Sequence, residues 1–217
     1  MGKSPSEITR NAIIAAAIAS VARDGVAGAS LRSINVAAGS KNSSAAHYHF
    51  GTKLALLEAA CESIIADIRP GQDARLDALE RRMAEGKSVT PREVLAGVYQ
   101  PYLALLLKGE SGFAATKFAS RLLVESDAEI QDIVNRIAAP YLFRALTLLE
   151  YALPGISRRS IVLRLFITGT NAIHGAGDIR AAINSPVGDL TEGNLNGFIE
   201  RLLDYIAAAV SAPEPAV

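Results

Sequence analysis

The sequence predicts an all-α protein with a small three-helix unit at its N-terminus and a larger helical domain behind it. Alanine, leucine and isoleucine dominate the 217 residues, only 6% are aromatic, and strand-like alternation is scarce. Glycine stands at the corners of three short helical patterns, at Gly25, Gly39 and Gly51. Short helices closed by glycine are typical of a helix-turn-helix unit.

Local signals set the bounds of the N-terminal helices. Ser30 is a good N-cap for the second helix, Asn42 or Ser43 for the third, and Thr52 for the fourth. Glycine is expected to end the first three helices, and proline the fourth. The predicted helices are Ser6–Asp24 before Gly25, Leu31–Ala38 before Gly39, a third reaching Phe50 before Gly51, and a fourth from Lys53 to about Arg69 before Pro70.

Longer helices are predicted in the second half of the chain. Pro101 and Pro140 lie inside apolar helical patterns and are expected to kink or break them. The organisation is therefore an N-terminal domain (1–52), a larger helical domain (53–211) and a tail (212–217) that is expected to be disordered. The helical stretches after the fourth helix are predicted near 73–85, 91–107, 112–126, 128–152, 158–175 and 190–210.

The charge distribution is uneven although the net charge is zero. Residues 1–53 carry six cations and two anions, a charge of +4, and the remainder carries −4. A basic head on an acidic body predicts a local site for a polyanion at the N-terminus.

Several classes of site are disfavoured by composition. Cys61 is the only cysteine, and it lies in an apolar helical run, so we expect a small core residue. One thiol and three scattered histidines cannot form a four-ligand zinc cluster, and no metal or other cofactor is expected. No apolar stretch approaches the ~18 residues of a membrane span, so we expect no membrane association. A reduced, cytoplasmic setting fits best.

Three groups of residues in the N-terminal domain form a recognisable pattern. They are the apolar run Asn11-Ala-Ile-Ile-Ala-Ala-Ala-Ile, the Leu31-x-x-Ile34 pair before Ala38-Gly39, and the ending Tyr48-His-Phe-Gly-Thr-Lys53. This pattern, over residues 8 to about 58, resembles the DNA-binding domain of the tetracycline repressor (TetR) family. The resemblance implies a ligand-responsive transcriptional regulator with an N-terminal helix-turn-helix domain and a helical ligand-binding and dimerisation domain. We expect a homodimeric repressor that a small apolar effector releases from a near-palindromic operator in double-stranded DNA.

The residue types of the third helix suit major-groove contact. Small polar residues at its start let the backbone approach the bases. Lys53 opposes the dipole of the fourth helix, and a phosphate at that helix start would satisfy it. The alternatives are a tolerated surface lysine, ordinary capping or surface histidines, and solvated cations at the other basic positions. The candidate DNA-binding residues are Arg32, Lys41, Asn42, Ser43, Ser44, Ala45, His47, Tyr48, His49 and Lys53.

The chain also departs from the family pattern near this helix. The family usually has a small residue in place of Asn35 and a hydrophobic residue in place of Ser40. The interval from Gly39 to Phe50 is one residue longer than the common pattern. A longer turn is expected to rotate or shift the recognition helix.

The last two long helices carry apolar residues at helical spacing, on more than one face. In the resembling family these helices form a four-helix dimer interface, whereas the alternative is a core within one chain. The candidate interface residues are Val162, Phe166, Gly169, Ile173, Leu195, Phe198, Ile199, Leu202, Tyr205 and Ile206.

A cavity for a small apolar ligand is expected between the head and this interface, because aromatic residues and a few polar groups recur on the intervening helices. An aromatic at helical spacing is also common in a plain core, and Arg121 can simply pair with a nearby acid. The candidate ligand-binding residues are Tyr99, Tyr102, Phe113, Phe118, Arg121, Phe143, Phe166, Asn171 and His174.

Two other classes of function stay open at this point. An all-helical enzyme or small-molecule carrier is disfavoured because the sequence has no Gly-x-Ser-x-Gly, phosphate loop or Glu-x-x-His pair, so no catalytic residues are predicted. A ligand-independent architectural DNA-binding protein is disfavoured because the body is three times the size of the head.

Overall fold

The all-α class is confirmed. A computed structural model describes residues 4–40, 42, 44–186 and 194–214, and this part of the chain contains α-helices and one 3₁₀ helix but no strand. The helices are α1 (Pro5–Gly28), α2 (Leu31–Ala37), α3 (Ala45–Phe50), α4 (Lys53–Ala84), α5 (Pro91–Leu103), a 3₁₀ helix (Ala104–Lys108), α6 (Glu110–Leu123), α7 (Ala128–Ala152), α8 (Arg158–Gly177), α9 (Ile179–Ile183) and α10 (Leu195–Ser211).

The three N-terminal helices pack against one another around α1. Ser4 and Glu7 make a reciprocal capping box that starts α1. Gly25 has a φ of 75° and interrupts the helix where the sequence predicted its end, although a short helical segment continues to Gly28. Helix α1 packs against α2, α3 and α4 and also against α6, so the head is seated on the body through its first helix.

Helix α4 overturns one sequence prediction. Pro70 was expected to end a helix at Arg69, but α4 continues for 32 residues from Lys53 to Ala84 with Pro70 inside it. Proline lacks the N–H that bonds one turn back, and this loss is tolerated because Pro70 lies on the exposed face. The two stretches predicted as separate helices are therefore one element that runs from the head through the body.

The crossing of α4 and α5 is unusually close. A Cβ atom added at Gly71 would lie 3.3 Å from the ring of Pro101, and one added at Gly97 would lie 3.0 Å from Leu76. Each helix thus contributes a glycine where the other presents a side chain. Pro101 does not break α5, which ends two residues later at Leu103 and continues as the 3₁₀ helix.

The remaining bounds agree with the sequence to within a few residues, and α7 occupies the predicted stretch 128–152 without a break at Pro140. Two features differ from the prediction. The short helix α9 was not predicted. In the tail, Glu214 accepts hydrogen bonds from the Ser157 amide and the Ser160 hydroxyl at 2.8 Å each, so residues 212–214 are held against α8. Residues 187–193 and 215–217 lie outside the described part.

An arginine on α7 joins that helix to the second half of α4. Arg144 forms two parallel hydrogen bonds with Glu80, at 2.6 and 2.8 Å, and pairs with Asp77 at 2.6 Å. Asp73 lies 3.4 Å away in the same network. The hydrogen bonds to Glu80 and Asp77 raise the pKa of Arg144, and its side chain is only 24% exposed.

We expect Arg144→Met to lower the free energy of unfolding by roughly 1–2 kcal/mol, because a two-point, partly buried arginine contact in a network exceeds an exposed pair. Urea denaturation measures the change. Arg136→Met is the matched control: Arg136 also joins α7 to α4, through Glu58, but its side chain is 63% exposed. The control should cost less than about 0.5 kcal/mol. Equal losses in the two variants would contradict the network.

Candidate nucleic-acid interface and ligand cavity

Helix α3 presents a polar face to solvent at the basic head. Tyr48 is 82% exposed, and Asn42, Ser44 and His47 are also exposed. The Asn42 side chain accepts a hydrogen bond from the Ser44 amide at 2.9 Å, which shapes the turn before α3. Small polar residues before α3 are thus followed by exposed aromatic rings on it, as the sequence predicted for a recognition helix.

One predicted DNA-binding residue on this helix, Ala45, does not lie at the surface. Ala45 is buried, together with Ala46, because both pack inward. Ala45 therefore has no surface to offer DNA in this conformation. Lys41 and Ser43 lie outside the described residues.

Asn35 holds α3 in place. It is buried on α2, its side-chain nitrogen donates to the Asn42 carbonyl at 2.7 Å, and its side-chain oxygen accepts from the Ala46 amide at 3.0 Å. The residue before α3, Ser44, makes no side-chain capping bond of its own. Asn35 therefore supplies from α2 the cap that the first turn of α3 needs. The departure from the family pattern at Asn35 and the longer turn are thus linked by two hydrogen bonds.

The other basic and aromatic candidates differ in their surroundings. Arg32 is exposed on α2. Lys53 is half-buried, and its ammonium donates to the carbonyl of Val26. This contact offsets the unfavourable position of Lys53 at the helix start and leaves two further N–H donors. His49 is half-buried between the rings of Tyr48 and Phe50.

A cavity of about 260 Å³ lies in the body between α4, α5, α6, α7 and α8. Four of the nine ligand-binding candidates line it: Tyr99, Tyr102, Phe118 and Phe166. Phe166 is 70% exposed, so it stands at the mouth of the cavity. The buried end is formed by residues such as Tyr99 and Phe118.

The other five candidates lie elsewhere. Phe113 lines a separate groove between α1 and α6, where the Arg180 guanidinium stacks on its ring. Phe143 is exposed on α7. Asn171 donates to the Tyr205 hydroxyl at 3.4 Å, and His174 shares a 2.7 Å hydrogen bond with Ser120. Arg121 is outside the lining, and its Nε has no partner among the described residues.

The sequence prediction missed the contribution of α4 and α7 to the cavity. Cys61, Ile64, Ile65, Ile68 and Gln72 of α4 form one wall. Their spacing of three and four residues could have indicated one helical face, but the expected break at Pro70 separated Gln72 from the others.

Burial raises the pKa of Cys61 to about 12, so its thiol stays protonated at neutral pH.

The proposed dimer surface is only partly exposed. Val162 and Phe166 on α8 and Tyr205 on α10 are exposed. Ile173, Phe198 and Leu202 are half-buried. Gly169, Leu195, Ile199 and Ile206 are buried in the core of their own chain, because α10 packs against α5 and α8. The second apolar face of α10 therefore packs in the core of its own chain. Further exposed apolar residues lie on α7, at Phe143, and on α8, at Leu163 and Ile167.

Within the described ranges, every helix is too short or too polar to cross a membrane. The same residues contain no group of three or more His, Cys, Asp or Glu side chains placed to hold a metal ion.

Comparison with known proteins agrees with this architecture. Residues 97–209, half of the chain, match the family model described as "Tetracyclin repressor-like, C-terminal domain". The chain belongs to the TetR family of transcriptional regulators. No match was found among curated proteins.

Solved structures of TetR-type regulators share the fold over almost the whole chain. The fatty acid degradation regulator FadR from Bacillus halodurans is 16% identical, with a TM-score of 0.59 over 95% of this chain and 97% of its own. NalD from Pseudomonas aeruginosa, a secondary repressor of the MexAB-OprM multidrug efflux pump, is 22% identical, with a TM-score of 0.59 over 95% and 98%. These similarities extend the TetR fold to the N-terminal domain, which the family model does not cover.

We expect Asn35→Ala to free the start of α3 without unfolding the body. Hydrogen exchange at the Ala46 amide, followed by NMR, should become faster, because the acceptor that protects this amide is removed. Ser40→Ala is the control, since the Ser40 hydroxyl bonds to the same Asn42 carbonyl but does not reach Ala46. Unchanged protection of Ala46 in Asn35→Ala would show that the cap is not needed.

Proposed function

We propose that this regulator is a homodimeric repressor that binds a near-palindromic operator through α3 and leaves it when a small, mainly apolar molecule enters the cavity. The main support for the proposal is that α4 is one continuous helix that reaches both the candidate DNA surface and the cavity. Its first residue, Lys53, adjoins the candidate DNA surface, and Cys61 to Gln72 line the cavity. A change in the tilt of this helix acts on both places at once.

The DNA-binding part of the proposal depends on the exposed face of α3. The exposed Tyr48 and His47 would contact sugar, phosphate or thymine methyl groups, and Asn42 and Ser44, just before α3, would approach the bases. Arg32 and Lys53 would contact phosphate, and Lys53 has two N–H donors beyond its bond to Val26. Lys41 and Ser43 stay candidates from the sequence alone.

The ligand part depends on the shape and chemistry of the cavity. A space of about 260 Å³ with mostly aliphatic and aromatic walls suits a small apolar molecule. If the ligand favours one tilt of α4 and the operator favours another, each weakens binding of the other by the same factor. We propose that the protein acts in the cytoplasm, because its single cysteine is free, which fits a reducing compartment.

The dimer part uses the exposed apolar residues of α7, α8 and α10. We name this set the apolar patch, and it consists of Phe143, Val162, Leu163, Phe166, Ile167 and Tyr205. Homodimers are typical of the family, and an exposed patch of large apolar side chains commonly marks a protein interface.

The DNA contacts can be tested after an operator is selected from a random-sequence duplex library. Lys53→Met should weaken binding and lower the slope of log affinity against log salt by about one unit, because one phosphate contact is lost. Tyr48→Ala should weaken binding to all sequences. Arg81→Met is the control, since it removes an exposed cation from the far end of α4. A Lys53→Met protein with the wild-type salt slope would rule out the phosphate contact.

The dimer surface can be tested by placing a charge in the apolar patch. Leu163→Glu should convert the dimer to a folded monomer, because the carboxylate would be buried without a partner, and operator affinity should fall with it. Leu107→Glu makes the same change at an exposed leucine outside the patch and should stay dimeric. Light scattering at micromolar concentration measures the mass. A Leu163→Glu dimer of wild-type affinity would refute this interface.

A further inference from the structure

The polar groups that line the cavity are few, and most of them have a partner in the protein or face the solvent. The Tyr102 hydroxyl donates to the carbonyl of Thr116 at 3.1 Å, and the Thr170 hydroxyl donates to the carbonyl of Phe166 at 3.0 Å. Asn135 is exposed to solvent. None of these groups needs a ligand to complete its hydrogen bonding.

Two further polar residues of the lining are also of little use to a ligand. The Tyr141 hydroxyl interacts with Arg69 and Asp73. The side-chain nitrogen of Gln72 donates to the carbonyl of Val98 at 2.7 Å. The other branch of this amide, Oε1, has no partner, but it has almost no accessible surface, so a molecule in the cavity cannot reach it.

The hydroxyl of Tyr99 differs from all of these, because it has no partner and can be reached. Tyr99 lies on α5 and is 5% exposed, so its ring is held in the core. Its hydroxyl makes no hydrogen bond to any described residue. The oxygen still has accessible surface, because the only fully enclosed and unpartnered side-chain polar atoms in the described part of the chain are Gln72 Oε1 and Arg121 Nε. Since Tyr99 lines the cavity, that surface faces the cavity.

Gly169 makes room for this hydroxyl in the cavity wall. A Cβ added at Gly169 would lie 2.5 Å from the hydroxyl oxygen and 3.5 Å from the ring carbon that bears it. The ring of Tyr99 therefore reaches from α5 to α8, where only a residue without a side chain leaves space for the oxygen. Gly169 lines the cavity itself, as do Leu165 and Ile173, one turn away on either side along α8. The hydroxyl is thus set among residues that form the wall.

The Tyr99 hydroxyl is available as a hydrogen-bond donor. Burial raises the pKa of Tyr99, so the hydroxyl keeps its proton at neutral pH. A phenol donates more strongly than it accepts, because its oxygen shares a lone pair with the ring. When an apolar ligand displaces water from the cavity, this O–H is left without an acceptor unless the ligand supplies one. A buried donor without an acceptor is destabilising, so a ligand that carries the acceptor gains affinity.

The rest of the cavity limits the charge of such a ligand. The lining, as far as the structure describes it, contains no Asp, Glu, Lys, Arg or His, and the thiol of Cys61 stays protonated. A carboxylate or an ammonium group would lose its hydration here with no opposite charge in the lining. The walls therefore favour an uncharged molecule.

We propose that the effector is an uncharged, mainly apolar molecule with a carbonyl oxygen that accepts a hydrogen bond from the Tyr99 hydroxyl. This rests on the proposed function, in which the cavity is the effector site. A ketone, an ester or a neutral amide is favoured for this site. A pure hydrocarbon, a carboxylate or an alkylamine is disfavoured.

The test uses three probes built on one bicyclic frame: 1-tetralone, tetralin and tetralin-1-carboxylate. The first two differ by a carbonyl in place of a methylene group, and isothermal titration of the full chain gives the ratio of the ketone's affinity to that of the hydrocarbon. Tyr99→Phe should lower this ratio about three- to tenfold, because the donor is lost while the ring is kept. Tyr151→Phe is the control, as it makes the same change on α7 outside the lining, where the hydroxyl donates to the carbonyl of Lys87.

Thermal unfolding of the free protein tests the premise separately. Tyr99→Phe should leave the midpoint unchanged or raise it, because no hydrogen bond is lost with the hydroxyl. A clearly lower midpoint, or a variant that does not fold, would show that the hydroxyl already has a partner in the folded chain and would overturn the proposal.

The binding outcomes distinguish the ligand class from the proposed function. A ratio unchanged by Tyr99→Phe, or tighter binding of the carboxylate than of the ketone, would overturn the ligand class and leave the cavity as an effector site. If no probe binds the wild-type chain, both the ligand class and the cavity as effector site are overturned. If the ketone binds as expected but operator affinity is unaltered, the ligand class stands and the proposed release from DNA fails.

Discussion

The close crossing of α4 and α5 is the contact on which the body depends. Gly71 meets the ring of Pro101, Leu76 meets Gly97, and the side chain of Gln72 bonds to the carbonyl of Val98 between them. The Gln72 and Val98 side of this crossing also lines one end of the cavity.

The sequence could predict those parts of the fold that local signals decide. Helix caps and glycine corners are local signals, and they located α2, α3 and the start of α4 to within a few residues. Pro70 is a local signal as well, but it lies on the exposed face of α4, and the residues after it are held by Pro101 of α5 and Arg144 of α7, which are far away in sequence. Tertiary contacts therefore overrode the proline.

The candidate site residues also divide into those that local sequence could predict and those that depend on distant packing. A surface helix with a recognisable motif could be read directly, so the exposure of Asn42, His47 and Tyr48 was predictable, whereas the inward packing of Ala45 was not. The role of Asn35 was visible only as a departure from a pattern, because its partners are seven and eleven residues away. In the body, burial depends on which helices meet, and an apolar residue such as Ile199 or Phe143 has the same pattern whether it faces core or solvent.

Helix α4 connects the candidate DNA surface at the head with the cavity in the body. At its start, Lys53 holds the carbonyl of Val26 just after the break in α1 at Gly25, so α4 is fastened to the head by a side chain as well as by the short turn after α3. About two to five turns later, the same helix forms a wall of the cavity and carries the unpartnered acceptor of Gln72. In the proposed function, a ligand that fills the cavity would act on the position of the head through α4, which contacts both regions, and no chain of intermediate side chains is required.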